Sequence, residues 1–308
     1  MKRPPRDTSR RELGQVQWGR DMAAAQGESR STRRPLFVLF QEVPGCATCQ
    51  GFGNGPLSHP LLVEAIETEF HPVLVYNNRG GPDQAVREAY SEPAWNNPVV
   101  RFLDASGGDV VPRRDGVWST ADVAARMIEA LTAAHRTVPP YLRLVAEEER
   151  RVATESATFA MSCYWEGAAK LGGIPGVRSV RAGFLDGHEV VETTFDPRVI
   201  DFGSLVRQAK ERGQAGVVFV EGRAQLESAR KIVGTAAREK GGEVRTASET
   251  DQLYYLRHSK FNGLPLTSLQ QVRVNAAMGD GTDPTRWLSP RQRAGLLAPE
   301  SAAGQTSR

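Results

Sequence analysis

The sequence predicts two modules in tandem, an open α/β module followed by an α+β module. Three observations carry this. In the first half, short apolar runs bounded by Gly and Pro alternate with amphipathic stretches of helical period. From Thr158 onward the order becomes strand, helix, strand, strand, helix, strand. Between the two patterns stands Pro139-Pro140, and 308 residues suffice for two separate cores.

Composition narrows the function classes. Forty per cent apolar and 24% charged residues are ordinary for a globular chain. The net charge of +3 is small, and much of it lies at the ends. Lys2, Arg3, Arg6, Arg10 and Arg11 in front, and Arg286, Arg291, Arg293 and Arg308 behind, read as solvated tails. No basic face with interleaved aromatics is visible, so no nucleic-acid partner is expected. No run approaches a membrane span and no signal-peptide core is present, so no membrane partner and a cytoplasmic location are expected. In a reducing compartment, three cysteines read as reactive thiols rather than a disulfide framework.

Residues 1–15 are polar and rich in Arg and Pro, and read as a disordered tail. The first module is then expected over 16–137. Trp18–Glu28 forms a short helix, and Leu36–Phe40 a buried strand bounded by Pro35. Cys46 and Cys49 follow, three residues apart, where a helix begins. A helix N-terminus stabilises a thiolate through unpaired N–H groups and the helix dipole. Cys46 is therefore the expected attacker, and Cys49, one turn on, the resolving thiol. A zinc half-site would need two further ligands, and the other Cys and His are scattered; haem attachment would need His where Gln50 stands. A structural pair stays open beside the dithiol reading, which the strand-to-helix context favours.

Gly51, Gly53 and Gly55 are expected to shorten or break the Cys46 helix. Ser58 is expected to cap a helix over His59–Phe70, with Leu61, Leu62, Ala65, Ile66 and Phe70 on one stripe. Strands follow at Pro72–Tyr76 and Val99–Leu103, the latter turning at Gly107-Gly108 into Asp109–Val111. Ser119 or Thr120 caps a helix ending near His135. This order, with CxxC at the first strand end, resembles the thioredoxin fold. The resemblance implies a cis-proline at Pro98, with the Asn97 backbone pairing an extended peptide substrate. It departs from the usual pattern at Pro44-Gly45, where Trp is absent, and at Thr48. The run Gln41–Cys46 resembles a thioredoxin-like subfamily that often carries selenocysteine at the position of Cys46, which implies Cys46 as the main nucleophile.

Residues 138–156 read as a helical linker whose charged run, Glu147–Arg151, faces solvent. The second module is expected over 157–260. Its elements are a strand at Thr158–Ser162, a helix at Trp165–Leu171, and strands at Val177–Phe184 and Glu189–Phe195 joined by Asp186-Gly187-His188. A helix at Phe202–Arg212, a strand at Val217–Val220, a long helix at Arg223–Lys240 and a strand at Glu243–Thr246 complete it. This is a split-βαβ, ferredoxin-like order with helices on one face.

The residues here resemble the A-type peptide methionine sulfoxide reductases. Ser162-Cys163-Tyr164-Trp165 stands where that family has Gly-Cys-Phe-Trp. Ile174–Val177, Ala182–Phe184, Glu189–Pro197 and Asp251–Leu256 match later segments in order. The resemblance implies Cys163 as nucleophile, Glu189 as the acid once burial raises its pKa, and Tyr164 and Trp165 as holders of the substrate methyl. The product is a sulfenic acid on Cys163, which a dithiol must remove. Two hydroxyls and a carboxylate of the family's site have no counterpart, because Leu185–His188 and Arg212–Gly216 are too short to carry them. Tyr254 or Tyr255 is the expected substitute. Cys163 as a buried hydrophobe, Glu189 as a surface carboxylate and Tyr164 and Trp165 as core aromatics remain the plain alternatives.

The combined expectation is a thiol redox enzyme without cofactor or metal. Its partners would be an oxidised protein or peptide, with an (S)-sulfoxide of methionine as substrate, and a cellular thiol reductant. The rival expectation is a thiol-disulfide oxidoreductase whose degenerate second module only binds a peptide. Residues 261–308 read as an extension with a short helix at Ser268–Met278, a helix start at Pro290, and a disordered tail after Leu297.

Overall fold

The computed structural model describes residues 11–94 and 98–297, and the chain divides into two compact units, 1–150 and 151–308. The first unit opens with a 3₁₀ turn at Arg11–Leu13, in which Glu12 and Leu13 are buried. Residues 11–15 are thus part of the fold rather than a tail, because Leu13 and Val16 join the core. The rest of the predicted tail lies outside the described residues.

Helix α1 (Met22–Thr32) begins later than expected, at Asp21, whose carboxylate accepts the Ala24 N–H at 3.0 Å. Strand β1 (Leu36–Gln41) leads to α2 (Ala47–Asn54). The Val43–Pro44 peptide is cis. Helix α3 (Pro60–Glu69) is capped by the His59 ring rather than Ser58, with Pro60 supplying a first residue that needs no N–H partner. Strand β2 (His71–Tyr76) follows, then α4 (Pro82–Ala89), an amphipathic helix absent from the sequence reading. Strand β3 (Val99–Leu103) is not followed by a full hairpin; a single bridge joins Leu103 to Asp109. Asp104 accepts the N–H groups of Ser106 and Gly108, which holds the turn without a second strand. Helix α5 (Thr120–Ala133) starts at the Ser119 cap.

The sheet order is β2-β1-β3, with β1 parallel to β2 and antiparallel to β3. Central β1 is buried on both faces, which explains its unbroken apolar run. Phe37 and Leu39 enter one core with Phe52, Leu62, Phe70 and Met127. Leu36, Val38 and Phe40 enter another with Val73, Val75 and Val99. Helix α6 (Pro140–Glu148) corrects the linker reading: Leu142 and Val145 are buried in the first core, so the helix belongs to this unit.

In the second unit β4 (Glu155–Met161), α7 (Tyr164–Gly172), β5 (Val177–Leu185), β6 (His188–Phe195), α8 (Phe202–Glu211) and β7 (Val217–Val220) follow the expected order. Asp186 and Gly187 both take positive φ, as a two-residue hairpin turn requires. Helix α9 (Arg223–Val233) stops well before Lys240, at Gly234 with φ 61°, and β8 (Ala237–Glu239) replaces its expected second half. Strand β9 (Arg245–Thr246) pairs with β5. The sheet order is β8-β7-β4-β6-β5-β9. Its inner four strands are the ferredoxin-like arrangement, paired antiparallel with one another.

A short turn of helix, α10 (Tyr254–Arg257), then α11 (Ser268–Gly279) and α12 (Pro290–Leu297), complete the described chain. Far from being a loose extension, α11 packs on α7. The buried Arg273 guanidinium donates to the Gly172 and Ile174 carbonyls that end α7. Among the described residues, no helix is long and apolar enough to cross a membrane.

Helix α2 is short, as expected, and stops at the Gly55 cap, while Gly51 and Gly53 lie inside it. Gly53 is there for contact: an added Cβ would lie 1.9 Å from the Arg11 carbonyl oxygen. Gly27 in α1 meets nothing within 4 Å. Gly53→Ala is therefore expected to destabilise the first unit by about 1–3 kcal/mol. Gly27→Ala should be neutral or stabilise it by up to about 1 kcal/mol. Urea midpoints of the same unfolding transition measure both.

Candidate active sites at two cysteine-capped helices

The carboxyl end of β1 feeds directly into the first site. Cys46 occupies the N-cap of α2 with extended backbone (φ −71°, ψ −179°). It is exposed, whereas Cys49 is buried. Their Sγ atoms lie 3.7 Å apart, within reach of a disulfide after small rotations.

The two thiols are electrostatically unequal. The Cys49 N–H points at the Cys46 sulfur and holds its pKa below the ordinary thiol value, with Thr48 adding to this. Burial, reinforced by the Cys46 sulfur, pushes Cys49 up to about 11. One sulfur is thus poised to attack and the other to stay protonated until a mixed disulfide forms.

The loop before Cys46 is tied down on several sides. Gly45 N–H donates to the Glu12 carboxylate at 2.9 Å. The Gln41 amide donates to the Glu12 carbonyl at 2.6 Å and to the Cys49 carbonyl at 3.3 Å. The Asn78 side chain bonds both the N–H and carbonyl of Val43. Pro98 is buried, and Val99 stands opposite Phe40 on β1, so Pro98 lies at the sheet end from which the dithiol loop departs. Its carbonyl accepts the Trp118 indole N–H at 3.1 Å. The expected cis bond before Pro98 involves Asn97, which lies outside the described residues.

The second site repeats the strand-to-helix corner. Cys163 is the N-cap of α7, half-buried and without a side-chain capping bond. Glu189 stands across from Met161 on the neighbouring strand, and its carboxylate accepts the Tyr164 N–H at 2.8 Å. That bond puts Glu189 at the first turn of the Cys163 helix. It is half-buried, not enclosed.

The aromatic residues sit in different surroundings. Tyr164 is buried with its ring edge-on to Phe184, at 5.5 Å between centroids. Its hydroxyl reaches Asp251, and burial followed by the Asp251 charge raises its pKa. Trp165 donates its indole N–H to Asp251 at 3.0 Å. Tyr254 stacks on Trp165 at 4.0 Å and 17°, so one indole face is covered by the chain itself. His258 lies on Tyr254 at 4.1 Å. Tyr255 packs against Gly279 of α11, and its hydroxyl pKa is raised first by burial and then by the nearby Cys163 sulfur.

Cys163, Glu189, Tyr164, Trp165, Tyr254 and Tyr255 are therefore gathered around the start of α7. Sequence reading overlooked Asp251 and Glu12. Asp251 heads the Asp-Gln-Leu-Tyr-Tyr run that drew attention to the tyrosines, so a signal was present. Glu12 sits in a polar Arg-rich stretch and carries no signal at all. No cluster of three or more His, Cys, Asp or Glu suited to a metal exists among the described residues.

The thiol asymmetry is directly measurable. Reduced protein treated with iodoacetamide between pH 7 and 9 should be modified at Cys46 and not at Cys49. Cys46, exposed and held below the ordinary thiol value, ionises before Cys49, which near 11 stays protonated there. Peptide mass spectrometry reads the outcome, and both thiols should react once urea unfolds the unit.

No protein-family model and no curated protein matches the chain. Among solved structures, a methionine sulfoxide reductase A of Corynebacterium diphtheriae is similar over 35% of this chain and 76% of that one, with 21% identity and a TM-score of 0.31. A DsbH oxidoreductase is similar over 43% of this chain and 91% of that one, with 18% identity and a TM-score of 0.32. These likenesses carry no argument, and any chemistry rests on the residues described above.

Proposed function

We propose that the chain is a thiol oxidoreductase in which a thioredoxin-like dithiol serves a methionine-sulfoxide-reductase-like unit. The observation that carries the redox reading is the exposed, low-pKa Cys46 at a helix N-cap with Cys49 buried 3.7 Å away. The second unit is assigned to sulfoxide chemistry on Cys163 at the equivalent corner, with Glu189 at the first turn of the same helix.

In this reading the Cys163 thiolate attacks the sulfur of a peptide methionine sulfoxide. The sulfoxide oxygen is protonated, the thioether is released, and the oxygen leaves on Cys163 as a sulfenic acid. Glu189, as acid, supplies a proton to that oxygen. The Cys46 thiol condenses with the sulfenic acid, releasing water and forming a Cys46–Cys163 disulfide. Cys49 then attacks Cys46, freeing Cys163 and leaving a Cys46–Cys49 disulfide for a cellular thiol to reduce. Tyr255 and the Asp251-bound Tyr164 supply hydroxyls near Cys163.

One observation favours a second reading. Tyr254 occupies a face of Trp165, where a substrate methyl would otherwise pack. A unit closed in this way would bind a peptide without reducing it, and only the dithiol would be catalytic.

Single-turnover reduction of a peptide methionine sulfoxide by pre-reduced protein separates the two. Wild type should release one thioether per chain and accumulate the Cys46–Cys49 disulfide, while Cys163→Ser should release none. Cys46→Ser should still release thioether but retain a sulfenic acid detectable with dimedone. Absence of thioether from wild type, with Cys46 still reducing a model disulfide, would leave the peptide-binding reading in place.

A further inference from the structure

We propose that Glu12 is a positioning residue for the Cys46–Cys49 dithiol, its carboxylate anchoring the Gly45 amide that precedes the nucleophile. The proposal rests on reading Cys46 as the attacking thiol.

Glu12 is only 6% exposed, an unusual place for a carboxylate. Its Oε1 accepts the Gly45 N–H at 2.9 Å. Its backbone carbonyl accepts the buried Gln41 amide, which also donates to the Cys49 carbonyl. A single side chain, Gln41, therefore ties the Arg11–Leu13 turn to the dithiol helix. The turn is seated closely, since the Gly53 position leaves no room for a Cβ beneath the Arg11 carbonyl.

Gly45 is held from the other side as well. A Cβ there would lie 2.5 Å from the Cys49 Cβ and 2.6 Å from the Glu42 carbonyl oxygen. The Pro44–Gly45–Cys46 backbone is thus wedged between the Glu12 carboxylate and the Cys49 side chain. Fixing Gly45 fixes the extended conformation by which Cys46 enters the helix N-cap. Misplacing a reacting atom by about 1 Å costs on the order of a hundredfold in rate.

The charged and titratable groups around this point are few. Cys46 and Cys49 face it from α2, Glu42 follows β1 and turns its N–H to the Cys49 sulfur, and Arg11 is exposed on the Glu12 turn. The groups that lower the Cys46 pKa are donors of its own helix, the Cys49 N–H first. Glu12 acts on the nucleophile by placing it.

Two variants test this. Glu12→Gln keeps an acceptor for Gly45 and removes the charge. It should exchange with a model disulfide within about threefold of wild type and keep the Gly45 amide protected from hydrogen exchange. Glu12→Ala removes the anchor and should slow disulfide exchange about tenfold or more at an unchanged circular dichroism spectrum, with the Gly45 amide protection lost. A folded Glu12→Ala protein exchanging at the wild-type rate, or a Glu12→Gln protein slowed as much as Glu12→Ala, overturns the proposal. Should Glu12→Ala not fold, a Glu12→Gln rate more than about tenfold below wild type overturns it. Failure of wild type itself to exchange would count against the redox reading, and the Gly45 amide protection in the variants would still judge Glu12.

Discussion

The feature on which both sites depend is a cysteine at a helix N-cap, delivered there by a buried strand. An N-cap is ordinarily Ser, Thr, Asp or Asn, whose oxygen satisfies an orphan N–H of the first turn. Neither Cys46 nor Cys163 has such an oxygen. The two units give their first-turn N–H groups different acceptors. In α2 the Cys49 N–H turns to the Cys46 sulfur. In α7 the Tyr164 N–H is taken by the Glu189 carboxylate. The same local geometry therefore yields a lowered thiol pKa in one unit and a carboxylate beside the thiol in the other.

The strands that carry these corners are rigid for a common reason. β1 is sandwiched between two apolar clusters, and Phe159 of β4 is buried within the second unit. A strand buried in this way cannot slip by one residue without exposing a whole face. The position of the following cysteine is thereby set by core packing rather than by the loop alone. Loop contacts then refine it, through Asn78 on Val43 and Glu12 on Gly45.

Elements distant in sequence complete both scaffolds. Arg273 of α11 donates to the Gly172 carbonyl at the end of α7 and to the Ile174 carbonyl beyond it. On the same helix Asn275 accepts the Leu256 N–H, which anchors the turn carrying Tyr254 and Tyr255. Gly279 permits the close seat of α11, since a Cβ there would lie 2.4 Å from the Ala169 Cβ. Helix α11 thus supports the Cys163 site from behind.

Much of this was legible in local sequence. Leu36–Phe40, Val99–Leu103 and Val217–Val220 announced themselves as apolar runs with turn residues at their ends. The βαββαβ order and the Ser119 cap followed from periodicity and capping chemistry, and the CxxC and Cys163 corners from motif plus strand context. These are short-range properties, written in neighbouring residues. What reached beyond a few positions was decided by tertiary structure. Charge on Glu147–Glu149 suggested a solvated linker, yet Leu142 and Val145 on the opposite face bury α6 in the first core. Gly53 read as a helix breaker and is instead a contact point. Local sequence identified the thiols by type and spacing. The burial that separates Cys49 from Cys46, the Glu12 carboxylate at Gly45 and the Tyr254 cover on Trp165 all arise where remote segments meet, and only packing brings those together.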